Sequence, residues 1–455
     1  MRVTLDSPFS LYEIRNITDA HLNCNVDLKV PITAISTDTR DCREGDLFIA
    51  LEGNRESGEK YVEEALSKKC YPISRSDIKG VLKVKDTSIA LSEISSSYKS
   101  KISPKYTIAV TGSVGKSTTV KFISALLKEK YSVHSTVGNF NNHIGVPLTL
   151  LAMPKGTEAL VIELGMNHSG EISRLSKAVE PYISVITSIG TAHIGNLGSR
   201  ENIARAKLEI LDGMTNGKLL LPADEPLLSK IEGALYVGSN SSLSDYSLNN
   251  ATNRTYTFLS ARSSICGIEF SDARKHLVYD LAFAISVADI LGLTKKQILS
   301  GIKAITNADL RQRFIDVNDF TIFDDSYNAS IESITADIEY INSLGRPTGA
   351  FLGDVLELGD MTREIHERIG RSAAELKIGK LYLYGEFAEY TARGAMDGGM
   401  NTNRIYVNTD VSSPNISIEQ IKKHHTPGEI ILFKASHKLR LDKIADLIKS
   451  EENIQ

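Results

Sequence analysis

The run Thr107–Thr119, Thr-Ile-Ala-Val-Thr-Gly-Ser-Val-Gly-Lys-Ser-Thr-Thr, carries an apolar strand into a glycine-spaced turn and then into a helix. That order builds a cradle for phosphate. Gly112 and Gly115 let the backbone turn tightly and bring N–H groups up to phosphate oxygens, and the helix starting near Lys116 points its positive end at the same place. Lys116 would reach the terminal phosphates, and the Ser117 hydroxyl would hold Mg2+. The strict P-loop pattern asks for a glycine five residues before Gly115, where this chain has Val110. The competing reading is an ordinary strand-to-helix turn.

Three more clusters fall where strands should end. Glu163 follows Ala-Leu-Val-Ile, and His193 follows Ile-Ser-Val-Ile-Thr-Ser-Ile-Gly. Each alone is more often structural, but together with Lys116 and Ser117 they make a magnesium site beside the cradle. Gly138–Pro147 is dense in amides and glycines, which suits either a loop that hydrogen-bonds a polar ligand or a solvated turn. Asp324–Ser330 follows an apolar strand and precedes a helix, so it reads as a helix cap or as a set of acceptors for a ribose.

The elements around these clusters read as α/β. The chain has 455 residues, 42% hydrophobic and 24% charged, as expected for several globular domains and not for a disordered chain. A formal net charge of -4 gives no basic face for nucleic acid. Cys24, Cys42, Cys70 and Cys266 form no Cys-x-x-Cys pair and are expected to be buried thiols. The N-terminus lacks the apolar core of a signal peptide, and no stretch reaches the ~18 apolar residues that span a membrane. A cytoplasmic monomer without membrane insertion is expected.

Three parts follow. Residues 1 to about 103 hold short strand-like runs (Ala34–Thr37, Asp46–Ala50) and a helix-like Lys60–Ser67, and end in polar Ser95–Pro104, which reads as a boundary. To about Ala308 the pattern predicts a parallel sheet covered by helices, with strands near Leu160–Leu164 and Ile183–Ile186 and helices at Gly170–Ala178, Arg200–Leu211 and Leu277–Leu291. The remainder repeats the alternation, with strands at Thr321–Phe323, Gly349–Leu352, Leu381–Tyr384 and Ile430–Phe433. Helices at Ser333–Leu344, Thr362–Leu376 and Leu439–Lys449 complete an open sheet whose ligands belong at the strands' carboxyl ends.

In this order the motifs resemble the Mur ligase family along nearly the whole chain. They are Ser36–Arg40 with Gly45–Ala50, the phosphate cradle, Gly138–Pro147, Glu163-Leu164-Gly165, Ala192-His193, Ile203–Glu209, Asp324–Ala329, Leu352–Gly359 and Lys434-Ala435-Ser436. The asparagine-rich loop and Asp-Asp-Ser-Tyr-Asn-Ala favour the MurF-type branch, which joins UDP-N-acetylmuramoyl-tripeptide to D-alanyl-D-alanine with ATP and Mg2+ through an acyl phosphate. The resemblance implies three α/β domains: 1–103 binding the UDP-sugar, a P-loop ATPase domain at 104–309 with a mainly parallel sheet, and a Rossmann-like 310–455 that binds the incoming amine and closes over ATP. It implies nucleotide contacts from Gly112, Ser113, Gly115, Lys116, Ser117 and Thr118, from His276 and Asp280 at the adenine, and from Arg313, Asp325 and Asn328. Ser36, Asp38, Arg40, Asn139, Asn141, Asn142, Lys434 and Ser436 become substrate contacts. Ser117 and Glu163 become ligands of one magnesium, and His193 belongs to a second metal position. Lys207 matches a lysine that is carbamylated in several members; a plain surface lysine on an Ala-Lys-Leu-Glu helix is its other reading.

The departures lie mostly on the substrate side. Ser57-Gly58-Glu59 stands for the family's Asp-Gly-His, Lys434-Ala435-Ser436-His437 for Lys-Gly-Ser-Arg, Ser330-Ile331 for Asn-Pro, and Asp280 for an asparagine. They motivate one rival, an amide ligase of the same family acting on another carboxylate or amine. A second rival, a nucleotide-binding regulator without turnover, is opposed by the joint presence of Lys116, Ser117, Glu163, His193 and Lys207. A simple P-loop kinase or GTPase would need neither flanking domain.

Overall fold

The strand Tyr106–Thr111 runs through the middle of a nine-stranded sheet, buried along nearly its whole length. The computed structural model describes residues 1–452 apart from 54–55, 239–243, 253, 271–273 and 306–312. The expected boundary at 309/310 lies outside the described residues. In the central sheet the order is Ser264–Glu269, Thr255–Ser260, Tyr246–Thr252, Leu235–Gly238, Lys218–Pro222, Ile183–Ile186, Tyr106–Thr111, Ala159–Glu163 and Val133–Ser135. Pairing is parallel from Val133–Ser135 through Tyr246–Thr252, and only the last two strands are antiparallel. Val110 lies opposite both Glu163 and Val185, so three strands end side by side where the chemistry was expected.

The strands between Lys218 and Glu269 were not anticipated. Their outer members alternate instead of running apolar: Tyr256 and Phe258 are buried while Thr255 and Thr257 are half-buried. The helix Lys275–Ile290 is buried along most of its length and packs against Lys116–Leu127, which begins at the cradle. Each large apolar side chain buried there contributes ~1.5–3 kcal/mol, so the helix holding the cradle is fixed by its far face. The expected helix Arg200–Leu211 is α-helical over Arg200–Leu208 and continues as a 3-10 turn over Glu209–Gly213.

The first sheet has six strands in the order Arg2–Ser10, Pro31–Ser36, Leu47–Ile49, Tyr71–Ser74, Leu82–Lys83 and His21–Leu22. Polar Ser95–Pro104, expected as a boundary, is helical over Ser95–Ile102, the rear half of the helix Thr87–Ile102, which is capped by Asp86 and ended by Ser103 at φ +56°. Its serines and lysines misled because Leu91, Ile94 and Tyr98 supply a buried stripe at helical spacing. Tyr98 is fully buried; its hydroxyl donates to the Met153 carbonyl at 3.2 Å and accepts from the Asp6 amide at 3.1 Å, tying the first sheet to the central part.

The third sheet is Arg313–Val317, Phe320–Asp324, Ile430–Lys434, Thr348–Gly353, Lys380–Tyr384 and Ile405–Asn408, parallel except for its first strand. Asp325, Asp354 and Ala435 each follow the carboxyl end of a strand here. The cysteines also depart from expectation. Cys42 and Cys70 are buried, but Cys24 is half-buried and Cys266 is exposed on the solvent face of an alternating strand.

Candidate active site

A cavity of about 520 Å³ lies over the carboxyl ends of the central strands, with loops of the third sheet as its opposite wall. Gly112 and Gly115 adopt φ of +152° and +88°, and a Cβ at Gly112 would lie 1.9 Å from Thr187 Oγ1. The loop is braced from the next strand end. Val114 N–H donates to Ser188 Oγ at 2.9 Å, Gly190 N–H donates to Ser113 Oγ at 2.8 Å, and Thr187 Oγ1 donates to the Val114 carbonyl at 2.5 Å. Sequence reasoning missed Thr187, Ser188 and Gly190, although hydroxyls directly after a strand beside the cradle were the available signal. Lys116 Nζ donates to the Gly112 carbonyl at 2.9 Å and to that of Ser113 at 3.4 Å. The cation thus rests on the cradle's own rim.

Glu163 is buried and doubly engaged: one carboxylate oxygen accepts from Ser117 Oγ, the other from Asn141 Nδ2 at 2.7 Å. Its backbone N–H donates to Thr136 Oγ1 at 2.9 Å. Asn141 is therefore a clamp on Glu163, and Asn142 Oδ1 accepts the amides of Ile144 and Gly145, capping the helix Gly145–Leu151. Asn139 is exposed and lines the cavity. A hydroxyl beside a carboxylate is a hard-oxygen pair that fits Mg2+, which takes its remaining ligands from water and phosphate. Among the described residues no three His, Cys, Asp or Glu side chains cluster as a metal site, so such an ion would rest largely on those outside ligands. His193 also lines the cavity, and its Nδ1–H donates to Glu357 Oε2 at 2.6 Å.

Lys207 overturns the surface-lysine reading. It is buried at the cavity, and burial, reinforced by Lys116, holds its ammonium well below the usual lysine range. Burial thus favours the neutral amine over the ammonium. Asp280 is buried beneath Gly115, where a Cβ would lie 2.4 Å from Asp280 Oδ1. Oδ1 accepts from Thr119 Oγ1 at 2.9 Å while Oδ2 has no hydrogen-bond partner among the described residues, and burial pushes the carboxyl up to about 8. Protonated, it offers one acceptor and one O–H donor, the hydrogen-bonding inventory of the asparagine it replaces.

This gives a pH-dependent expectation. The unfolded carboxyl ionises above pH 3.8 while the folded one keeps its proton to about 8. Across that window stability falls as pH rises, by at most ~1.4 kcal/mol per unit. Asp280→Asn should melt with the wild type near pH 4 and gain on the order of 1 kcal/mol by pH 8, since a buried amide still pays for desolvation. Melting curves of both proteins across this range check it; a gain that does not grow with pH refutes the protonated acid.

On the opposite wall, Lys434 is buried between Asp325 and Asp337, 2.9 Å from the latter, and burial pushes the Asp337 carboxyl upward. Asp325, Asn328 and Lys434 line the cavity together, and Ser330 caps the helix Ile331–Ser343. His276 lines it too. Five of the expected residues, Arg313, Ser436, Ser36, Asp38 and Arg40, lie outside this cavity, the last three on the first domain where they were expected. Arg313 is exposed and pairs with Asp324 at 2.7 Å. Ser436 Oγ accepts from the Leu356 amide at 2.9 Å, ordering a loop rather than facing the cavity. Ser36 is buried, its hydroxyl donating to the Asp38 carbonyl at 2.9 Å. Arg40 is exposed on the first sheet, where its hydrogen bonds hold the Asp38 carboxyl well below the carboxylate range. Glu59 is spoken for: it accepts from Ser74 Oγ at 2.5 Å, the Arg75 amide at 2.9 Å and Ser76 Oγ at 2.7 Å.

Comparison with known proteins agrees with this geometry. Residues 110–285 match the Mur ligase middle domain and residues 310–437 the Mur ligase glutamate ligase domain. The chain is 35% identical to the UDP-N-acetylmuramoyl-tripeptide–D-alanyl-D-alanine ligase of Bacillus subtilis, covering 92% of this chain and 94% of the relative. It is 30% identical to the enzyme of that name from Synechocystis, covering 98% and 99%. A crystal structure of MurF from Acinetobacter baumannii superposes with a TM-score of 0.88 at 27% identity, covering 98% of this chain and all of the other. MurF from Thermotoga maritima in complex with ADP superposes at 0.78 with 26% identity, covering 92% and 97%.

Proposed function

The chain belongs to the Mur ligase family, and from that premise we propose that it joins UDP-N-acetylmuramoyl-tripeptide to D-alanyl-D-alanine, converting ATP to ADP and phosphate, in peptidoglycan precursor synthesis. The terminal carboxylate of the tripeptide attacks the γ-phosphorus and the bond to the ADP oxygen breaks. The dipeptide amine then attacks the acyl carbon, phosphate departs with the C–O bond, and the amine loses a proton. A free carboxylate would have to expel oxide; the acyl phosphate has a leaving group.

The residues supply position and charge. Lys116 swings from the carbonyls of Gly112 and Ser113 to the phosphates, where the loop amides join it. Ser117 and Glu163 would hold Mg2+, which neutralises phosphate oxygens when bound, with Asn141 keeping the carboxylate in place. His193 serves a second metal position. Burial favours the neutral form of Lys207, whose lone pair can add CO2 with release of one N–H proton to water; the carbamate so formed is an anion beside Lys116. Asp325 and Asn328 complete the nucleotide site from the third domain, and Asn139 faces the substrate. The observation that carries the reading is the gathering of Lys116, the Ser117–Glu163 pair and the buried Lys207 in one cavity walled by the third domain.

The test is phosphate release from ATP and Mg2+ with the two substrates added separately and together, with product mass checked. Turnover that needs both and yields the pentapeptide nucleotide is expected. ATP binding without turnover on either common tripeptide would instead indicate a family member with another acceptor.

A further inference from the structure

The contact between His193 and Glu357 joins two sheets that share no strand. His193 stands at φ +63° after the strand Ile183–Ile186, and Glu357 stands at φ +63° after the strand Thr348–Gly353. Such backbone is costly for side-chain-bearing residues and persists where the surroundings over-determine it. Here they do. Gly195 N–H donates to the Glu357 carbonyl at 3.1 Å, and a Cβ at Gly195 would lie 2.4 Å from the Gly359 nitrogen. The loop bearing Glu357 is built before it meets His193: the Val355 amide donates to His366 Nε2 at 3.2 Å and the Leu356 amide to Ser436 Oγ at 2.9 Å. The carboxylate is thus delivered by a fixed loop.

We propose that Glu357 is a positioning residue for His193: seating of the C-terminal domain places a carboxylate that holds the imidazole as its Nδ1–H tautomer and leaves the Nε2 lone pair for the cavity. The two ring nitrogens are not equivalent, and a hydrogen bond at one decides the state of the other. His193 is then competent only while the third domain is seated, so the phosphate end of the site is completed by the same movement that encloses ATP. This inference rests on the ligase reading for its kinetic consequence and on geometry alone for its spectroscopic one.

Full-length wild type, Glu357→Ala and Glu357→Gln are compared in two measurements. In 15N-histidine-labelled protein without substrates, with the His193 signal assigned by its loss in His193→Asn, the wild type should show a protonated Nδ1. Glu357→Ala should move that signal toward the tautomer mixture of free imidazole, and Glu357→Gln, whose amide oxygen still accepts, should keep it. In ligation assays Glu357→Ala should lose ~10–100-fold in kcat with KM for ATP within about threefold, and glutamine should restore most of it. Unchanged His193 nitrogen signals in Glu357→Ala overturn the proposal, as does a kcat loss that glutamine does not rescue. A tautomer shift in a protein whose wild type ligates nothing upholds the positioning role and removes the ligase reading. Wild-type ligation with kcat untouched in Glu357→Ala does the reverse.

Discussion

Lys116→Ala is expected to lower the rate of ligation on the order of 10³-fold and to leave the melting temperature within about 2 °C of wild type. The two halves of this expectation have separate causes. The amine is partly exposed and rests on carbonyls at the loop's rim, so its removal opens no cavity in the core. The loop is held from behind by Thr187, Ser188 and Gly190, none of which touches the lysine's charge. During phosphoryl transfer, however, negative charge spreads over oxygens that a fixed cation and the loop amides help to neutralise. Loss of one such group costs ~10²–10³-fold in comparable sites; the upper end is expected because burial disfavours the charged form of Lys207, which makes it a poor substitute for the missing cation. Single-turnover ligation with circular dichroism melting checks both halves. Ligation near the wild-type rate would remove the loop from the mechanism.

Lys207→Met is expected to abolish most activity, again ~10²–10³-fold, while making the folded chain more stable. The sign follows from linkage. Burial lowers the folded amine's pKa while the unfolded one keeps its ordinary value of 10.5, so the unfolded state binds more protons and stability is lost as pH falls below 10.5. Methionine fills a similar volume with nothing to protonate. In bicarbonate-free buffer at pH 7 a gain of about 1 kcal/mol, roughly 2–4 °C, is expected, shrinking toward pH 10. Bicarbonate should narrow the gap by stabilising the wild type alone, and intact mass should show the added CO2. A methionine variant that melts lower than wild type at pH 7 would mean that the lysine is charged and paired, and the carbamate reading would fall with it.

The phosphate cradle, the strands flanking it and most of the third sheet were legible because each is a short apolar run ending in residues with chemistry attached. What the sequence hid was mostly what depends on a partner far along the chain. Glu357 looks like one more acidic loop residue until it meets His193, 164 positions away. Asp337 lies on a helix face and gains meaning only from Lys434. Burial of Lys207 is invisible in Ala-Lys-Leu-Glu, because no local pattern says which side of a helix a cavity will face. Ser36 and Ser436 belong to family motifs, and the structure adds what the motifs do not say, that their hydroxyls bond neighbouring backbone. The polar tail of the helix Thr87–Ile102 reads as a linker because its buried stripe is narrow.

That same helix sets the mechanics of the whole chain. Through the buried phenol of Tyr98 and its packing on Gly145–Leu151, the first and second sheets are joined by an apolar seam. The third sheet meets the second through polar reaches, His193 to Glu357, Thr191 to Glu332 at 3.2 Å and the Arg274 guanidinium over Tyr340 at 4.8 Å, beside apolar packing in which Ile194 and Leu358 share one buried cluster. Parting an apolar seam exposes oil to water, whereas parting polar contacts trades them for water nearly in kind. The polar part of the third sheet's seam is thus the part that opens cheaply, and the apolar part is what draws it shut again.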